Sequence, residues 1–226
     1  MFAADGSDPA AKPLVLPLGE SALLVRFGST LSQAANTAAL RFARILELRP
    51  IAGVVEVVPN LVSVLLRYEP QRIGFHHLAG EIGLLLTAAV DDVGAEARNH
   101  IVKVAFGGEA GPDLPDVAER LGLSAGAFVA AHNASRLRVL ATGFAPGFVY
   151  CGFHPERLHV PRRAEVRPRV AAGSVLFAAG QTAIAATDIP TGWHVIGHTQ
   201  LRNFDALRDP PTLLQAGDTI EFEATT

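Results

Sequence analysis

The chain has 226 residues, 49% hydrophobic and 18% charged, with a net charge of -3 and a single cysteine. That is enough apolar material for one large domain or two small ones, and too much for a disordered chain. The slightly acidic balance offers no basic footprint for nucleic acid, and one cysteine excludes an internal disulfide framework and fits a reducing compartment.

The opening MFAADGSDPAAKP has no basic start followed by an apolar segment, so residues 1–13 read as a loose tail and not a signal peptide. LVLPLGESALLVRFG (14–28) reads as strand material that turns at Pro17-Leu18-Gly19. Ser32 is placed to cap a helix running to about Arg49, with Ala35, Ala39, Phe42, Ile45 and Leu46 on one face and Pro50 just past its end. GVVEVVPNLVSVLLRYEP (53–70) gives two β-branched runs and predicts a hairpin hinged at Pro59-Asn60.

A second amphipathic helix is expected from about Gly74 to Ala89, with His76 and His77 solvated or half-buried. Its most apolar run, IGLLLTAAV (82–90), is too short to cross a bilayer, so no membrane contact and a cytoplasmic location are expected. The order β-α-β-β-α, closed by HIVKVAF (100–106), predicts a small α/β domain over 14–95 with its helices on one face of an antiparallel sheet. DDVGAEARNH is the most polar and least periodic stretch, which sets a domain boundary near 92–100.

After GGEAGPD (107–113) two short helices are expected, one from Asp113 with Pro115 in its first turn and one from Ser124 to about His132. From Leu137 onward, short apolar runs are separated by APG, HPE, RPR, AAG, PTG and DPP. Such close punctuation predicts a closed or nearly closed β-barrel, so 96–226 reads as a barrel domain with two leading helices. The fold class is α+β.

There is no phosphate-binding G-x-x-x-x-G-K-[ST] loop, and FGGEAG lacks the spacing of a dinucleotide fingerprint. Cys151 reads as a small buried hydrophobe beside Tyr150, and Ser174 as a turn serine entering a strand. His194 and His198 lie four apart, which in a regular strand puts both on one face; two histidines alone do not make a metal site.

The stretch GFAPGFVYCGF (143–153) is odd because it carries aromatics where glycine and proline keep turning the chain. Arg162, Arg163, Arg167 and Arg169 crowd one loop nearby, Gln181-Thr182 follow Gly180, and Trp193-His194 follow Gly192. Glycines admit close backbone approach, aromatics line concave pockets, and guanidinium groups grip carboxylate or phosphate. The residues by themselves support a pocketed β domain suited to anions, balanced against a solvated charge run with corner glycines.

GVVEVVPN (53–60), FGGEAGPDL (106–114), GFAPGFVYCGF (143–153), VPRRAEVRPRVAAGSV (160–175), AGQTAIA (179–185), GWHVIGHT (192–199) and FDALRDPPTLLQAGDTIEF (204–222) occur in that order. In this the chain resembles the carboxyltransferase subdomain C/D family, which includes a bacterial 5-oxoprolinase subunit, an allophanate hydrolase subunit and the Kip-type inhibitor of a sporulation sensor kinase. The resemblance implies a small α/β domain followed by a cyclophilin-like barrel, and aromatics that form pocket wall and partner surface. It further implies a companion 5-oxoprolinase barrel subunit, a third protein, and ATP used at the level of the complex to open the lactam of 5-oxoproline.

On the matched motifs, Arg162 and Arg167 are expected to bind anions, Gln181 and Thr182 to orient the substrate amide, and His194 or His198 to move a proton. Phe144, Pro146, Gly147, Phe148, Trp193 and Thr199 are expected to line the cleft. No metal is expected. The sequence departs from the family at Thr191, His198 and Ala183, where the usual residues are glycine, arginine and glycine. Two alternatives follow from the same resemblance: an inhibitor that docks on a sensor histidine kinase, and a component of an allophanate hydrolase or urea-carboxylase-like system.

Overall fold

The computed structural model describes residues 12–87 and 97–225. The tail expected over 1–13 and the boundary expected near 92–100 lie outside the described residues except at 12–13 and 97–100. The chain divides into two compact units, Met1–Glu96 and Ala97–Thr226.

The first unit runs β1 (Leu14–Pro17), β2 (Ala22–Arg26), α1 (Gln33–Leu48), β3 (Val54–Asn60), β4 (Ser63–Tyr68) and α2 (Phe75–Thr87). The strands form an antiparallel sheet in the order β1-β2-β4-β3. Helix α1 starts where the sequence predicts: the Ser32 hydroxyl accepts from the Ala35 N–H at 3.2 Å, satisfying a donor the helix leaves free. Its buried residues include all five expected apolar positions; of these Ala35, Ala39, Phe42 and Leu46 pack with Leu23, Val25, Val64 and Leu66 of the sheet and with Leu78 and Ile82 of α2. Each of the larger side chains contributes about 1.5–3 kcal/mol on burial. The β3–β4 hairpin turns at Leu61-Val62, two residues beyond the expected hinge. Pro59 remains inside β3 because β3 is an edge strand, where a missing N–H costs no ladder bond.

The second unit comprises β5 (Asn99–Phe106), α3 (Leu114–Arg120), α4 (Ala125–His132), β6 (Leu137–Thr142), β7 (Val149–Gly152), a helical turn at 156–158, β8 (Arg167–Val170), β9 (Ser174–Ala178), β10 (Gln181–Ile184), β11 (Ile189–Thr191), β12 (His194–His198) and β13 (Thr219–Ala224). Seven strands close into a barrel in the order β10-β7-β6-β13-β5-β12-β9, while β8 and β11 form a separate pair. HIVKVAF, expected to close the first unit's order, is instead barrel strand β5, paired parallel to β13 over six positions. Its local pattern specifies a strand but says nothing about its partner.

Inward side chains, among them Val102, Val104, Val139, Cys151, Phe177, Ile184 and Phe222, fill the interior with Val117 and Phe128 of the two helices. A second cluster lies on the outside of β7, β9, β10 and β12, formed by Phe148, Leu176, Ala178, Ala183, Trp193 and Val195 with Val170 and Ile189 of the small pair. Among the described residues no helix is long and apolar enough to cross a membrane.

Candidate functional site

On that outer face the aromatic residues form a continuous chain. Phe144 and Phe148 have ring centroids 5.5 Å apart, Phe148 and Tyr150 4.8 Å, and Tyr150 and Trp193 6.1 Å. The chain ends where Arg162 lies over the Trp193 ring, 5.7 Å from its centroid, a cation–π distance. Burial pushes the Tyr150 hydroxyl up from its ordinary pKa, with the positive charge of Arg162 pulling partly against it. Phe144 sits at the tip with 72% of its surface exposed and φ at 77°, a backbone region that non-glycine residues rarely occupy.

Pro146 is exposed on the same loop. Gly147 is a packing requirement: a Cβ there would come within 2.5 Å of Phe204 Cβ, and its carbonyl accepts from buried Asn203 at 2.8 Å. Its φ of 69° also favours glycine.

Behind this face the structure reveals a residue that motif reading left aside. Strand β12 carries a register shift between Val195 and Gly197, and segment 107–113 straps across it. Gly107 N–H donates to Ile196 O, Asp113 N–H donates to Val195 O, and the Asp113 carboxylate accepts from Val195 N–H at 2.7 Å. The approach is so close that a Cβ on Gly111 would fall 2.0 Å from Ile196 O. Asp113 was expected to cap α3, but its side chain makes no capping bond. It accepts instead from Arg163 and Arg167, each at 2.9 Å. The signal was present as the aspartate of FGGEAGPDL, with two arginines of the later loop lacking an assigned partner.

The four arginines therefore separate by role. Arg163 and Arg167 share a buried carboxylate, Arg169 pairs with exposed Asp188, and Arg162 stacks on Trp193. Arg167 belongs to an internal ion pair, where the sequence suggested a free anion-binding group.

The two histidines do not share a face. His194 pairs with inward-facing Phe177, whereas His198 pairs with Ser174 and Ala105 on the outside. The shift in β12 inserts one residue between them and reverses the alternation. His194 is buried and its Nε2–H donates to Pro161 O at 3.0 Å, while its buried Nδ1 has no partner among the described residues. His198 donates to Ala172 O at 3.0 Å and, with Thr199, lines a separate cleft of about 830 Å³ together with Lys103, Gln200 and Glu223.

Gln181 and Thr182, adjacent in β10, also diverge. Thr182 points into the barrel, where its hydroxyl lies 2.8 Å from both His132 Nε2 and His154 Nε2. His132 Nδ1 faces Asn133 Oδ1 at 2.7 Å. That contact makes Nδ1 the donor, so Thr182 donates to His132 and accepts from His154. Burial holds both imidazoles neutral, lowering His132 to about 4 and His154 to about 3. Thr182 is thus an interior hydrogen-bond link and does not reach a surface substrate. Gln181 takes the opposite side, 8% exposed, with its buried Nε2 unpaired among the described residues.

Cys151 lies fully buried, and burial raises its thiol pKa strongly. Thr191 uses its hydroxyl to accept from Trp193 N–H at 3.0 Å, which fixes the turn ahead of the indole. Ala183 is buried in the outer cluster.

Residues 13–214 match the family described as carboxyltransferase domain, subdomain C and D. A Bacillus subtilis (strain 168) protein named as a 5-oxoprolinase subunit is 34% identical over 215 residues, covering 91% of this chain and 90% of its own length. An Escherichia coli O157:H7 protein of the same name is 37% identical over 207 residues, covering 91% and 93%. The crystal structure of TTHA0988 superposes with a TM-score of 0.80 at 35% identity; the match covers 91% of this chain and 40% of that longer one.

Proposed function

Because the chain belongs to the carboxyltransferase-domain family of subdomains C and D, we propose that it is one component of an ATP-dependent hydrolase that opens the cyclic amide 5-oxoproline to glutamate. The relatives named as 5-oxoprolinase subunits support membership in such a complex. The observation that carries the site is the outer barrel face: an aromatic wall ending in Arg162 over Trp193, beside the buried, unpaired amide donor of Gln181.

In this reading the flat lactam ring packs against Tyr150 and Trp193. Gln181 supplies a hydrogen bond from a site where water is excluded, and an unmet buried donor gains most from a ligand acceptor. Arg162 adds positive charge at the rim. A triphosphate does not fit the arginine loop, because Arg163, Arg167 and Arg169 each face a carboxylate of this chain. ATP is therefore assigned to the complex, and this chain's part is to hold and orient the amide while keeping a shared face for its companion barrel protein and a third component.

The test is reconstitution. The purified chain alone should cleave no ATP with 5-oxoproline, and the mixture with its companions should do so only when 5-oxoproline is present. Turnover by the single chain, or none by the full mixture, overturns the proposal.

A further inference from the structure

Arg162 is exposed, and among the described residues its guanidinium makes no hydrogen bond or ion pair; it meets the Trp193 indole. A cation–π contact at an exposed position is weak beside the rotamer freedom that an arginine gives up. The pair therefore persists only where the two backbones that present it are held in place.

Both are held. Before Arg162, Pro161 O accepts from His194 Nε2–H at 3.0 Å; after it, Arg163 N–H donates to Gly192 O at 2.7 Å. The residues flanking Arg162 are thus bonded to the residues flanking Trp193. Arg162 turns its side chain to the indole, while Arg163 sends its own to the Asp113 carboxylate at 2.9 Å. The other oxygen of that carboxylate accepts from Val195 N–H at 2.7 Å, two residues beyond Trp193. Asp113 also reaches the near side of Trp193: it accepts from Arg167, whose position in β8 pairs with Thr191, and the Thr191 hydroxyl accepts from Trp193 N–H. Asp113 hydrogen-bonds to neither member of the pair, yet it is bonded to the segments that carry both.

We propose that Asp113 is the positioning residue of the outer face: by joining Arg163 to Val195 it fixes the direction in which Arg162 is presented over Trp193. Charge-assisted bonds to a buried carboxylate are strong and directional, and a binding group keeps its aim through such supporting contacts. An asparagine would keep an oxygen for Val195 but offer the two partly buried guanidiniums only a neutral acceptor. Arg163 is then no longer drawn inward, and the 161–163 segment that aims Arg162 loses its anchor. The role deepens the proposed function, on which it rests for the identity of the ligand.

Trp193 is the single tryptophan of the chain, so emission and the indole Nε1–H resonance of the full-length protein report on the pair directly. Arg162→Ala supplies the signal of an indole without its guanidinium. Folded Asp113→Asn should move both signals at least halfway to it, and adding Asp113→Asn to Arg162→Ala should move them no further. Asp188→Asn, which releases exposed Arg169 from the same loop, should leave both unchanged. In the reconstituted complex Asp113→Asn should raise KM for 5-oxoproline about tenfold while kcat is kept. A carboxylate that only stabilised the fold would lower the melting temperature and leave the Trp193 signals and KM alone. A wild-type Trp193 signal in folded Asp113→Asn, or a shift that adds fully to that of Arg162→Ala, overturns the role. If Asp113→Asn does not fold, Arg163→Gln makes the same test from the other end of the bond, and Arg163→Lys should restore part of the wild-type signal.

The two proposals fail separately. Trp193 signals that follow Asp113 in a chain whose complex never hydrolyses 5-oxoproline keep the positioning role and sink the function. A complex that hydrolyses 5-oxoproline with the wild-type KM in folded Asp113→Asn does the reverse.

Discussion

Acidification should unfold the barrel through its own interior before most carboxylates protonate. His132 and His154 are held neutral by burial, with folded pKa values of about 4 and about 3, against an ordinary value of 6.5. The unfolded chain therefore binds protons that the folded chain refuses, so stability is complete above the ordinary value and falls as pH drops through it. Between about pH 7.5 and about pH 5 each histidine removes about 2 kcal/mol, together about 4 kcal/mol, a large share of a typical 5–15 kcal/mol. Urea unfolding across that range measures it directly, and the slope should approach two protons per molecule near its acid end. His154→Phe, which can pack beside Phe177, should halve that slope while lowering stability at neutral pH by removing the bond that Thr182 accepts. Stability flat from about pH 7.5 to about pH 5, or an undiminished slope in His154→Phe, would refute the reasoning.

Asp113→Asn keeps an oxygen for the Val195 N–H but removes the charge that Arg163 and Arg167 share, so unfolding free energy should fall by about 2–3 kcal/mol, read from urea midpoints; an unchanged midpoint would show that the node contributes little. Phe144→Ser should leave the melting temperature within error because the ring is exposed, yet weaken capture of the companion barrel protein about thirtyfold, the scale of one aromatic anchor of about 2 kcal/mol. Surface plasmon resonance with the companion immobilised checks this, and equal affinities would remove Phe144 from the interface.

Local rules found local structure. Ser32 before an apolar stripe, Pro115 inside a first turn and Ser124 before AGAF each mark a helix start, because capping is settled within a few residues. The barrel was legible from its punctuation. What escaped was non-local: the parallel pairing of β5 with β13, and the shift at Ile196 that sends His194 inward and His198 outward. A one-residue shift leaves no mark in a sequence, since Trp193 to His198 alternates no differently with it than without it. The site divided for the same reason. Gln181 and Thr182 are adjacent letters with opposite faces, and only the register shows that Thr182 serves His132 and His154 while Gln181 faces outward. Asp113 was visible as a letter, but its two arginines lie 50 and 54 positions away.

The parallel ladder between β5 and β13 also sets a clock. Contacts such as the Arg98 N–H to the Asp218 carboxylate join positions 120 residues apart. At ribosomal speeds of about 5–20 residues per second, β5 waits roughly ten seconds for the strand that closes the barrel beside it. During that interval Val102 and Val104, fully interior in the finished molecule, have no β13 against which to be covered. Closure of so long a loop is slow by topology as well as by synthesis. Yield in a cell should therefore depend on whatever shields a nascent strand, and a pause in translation between β5 and β13 should cost more folded protein than an equal pause in the first unit.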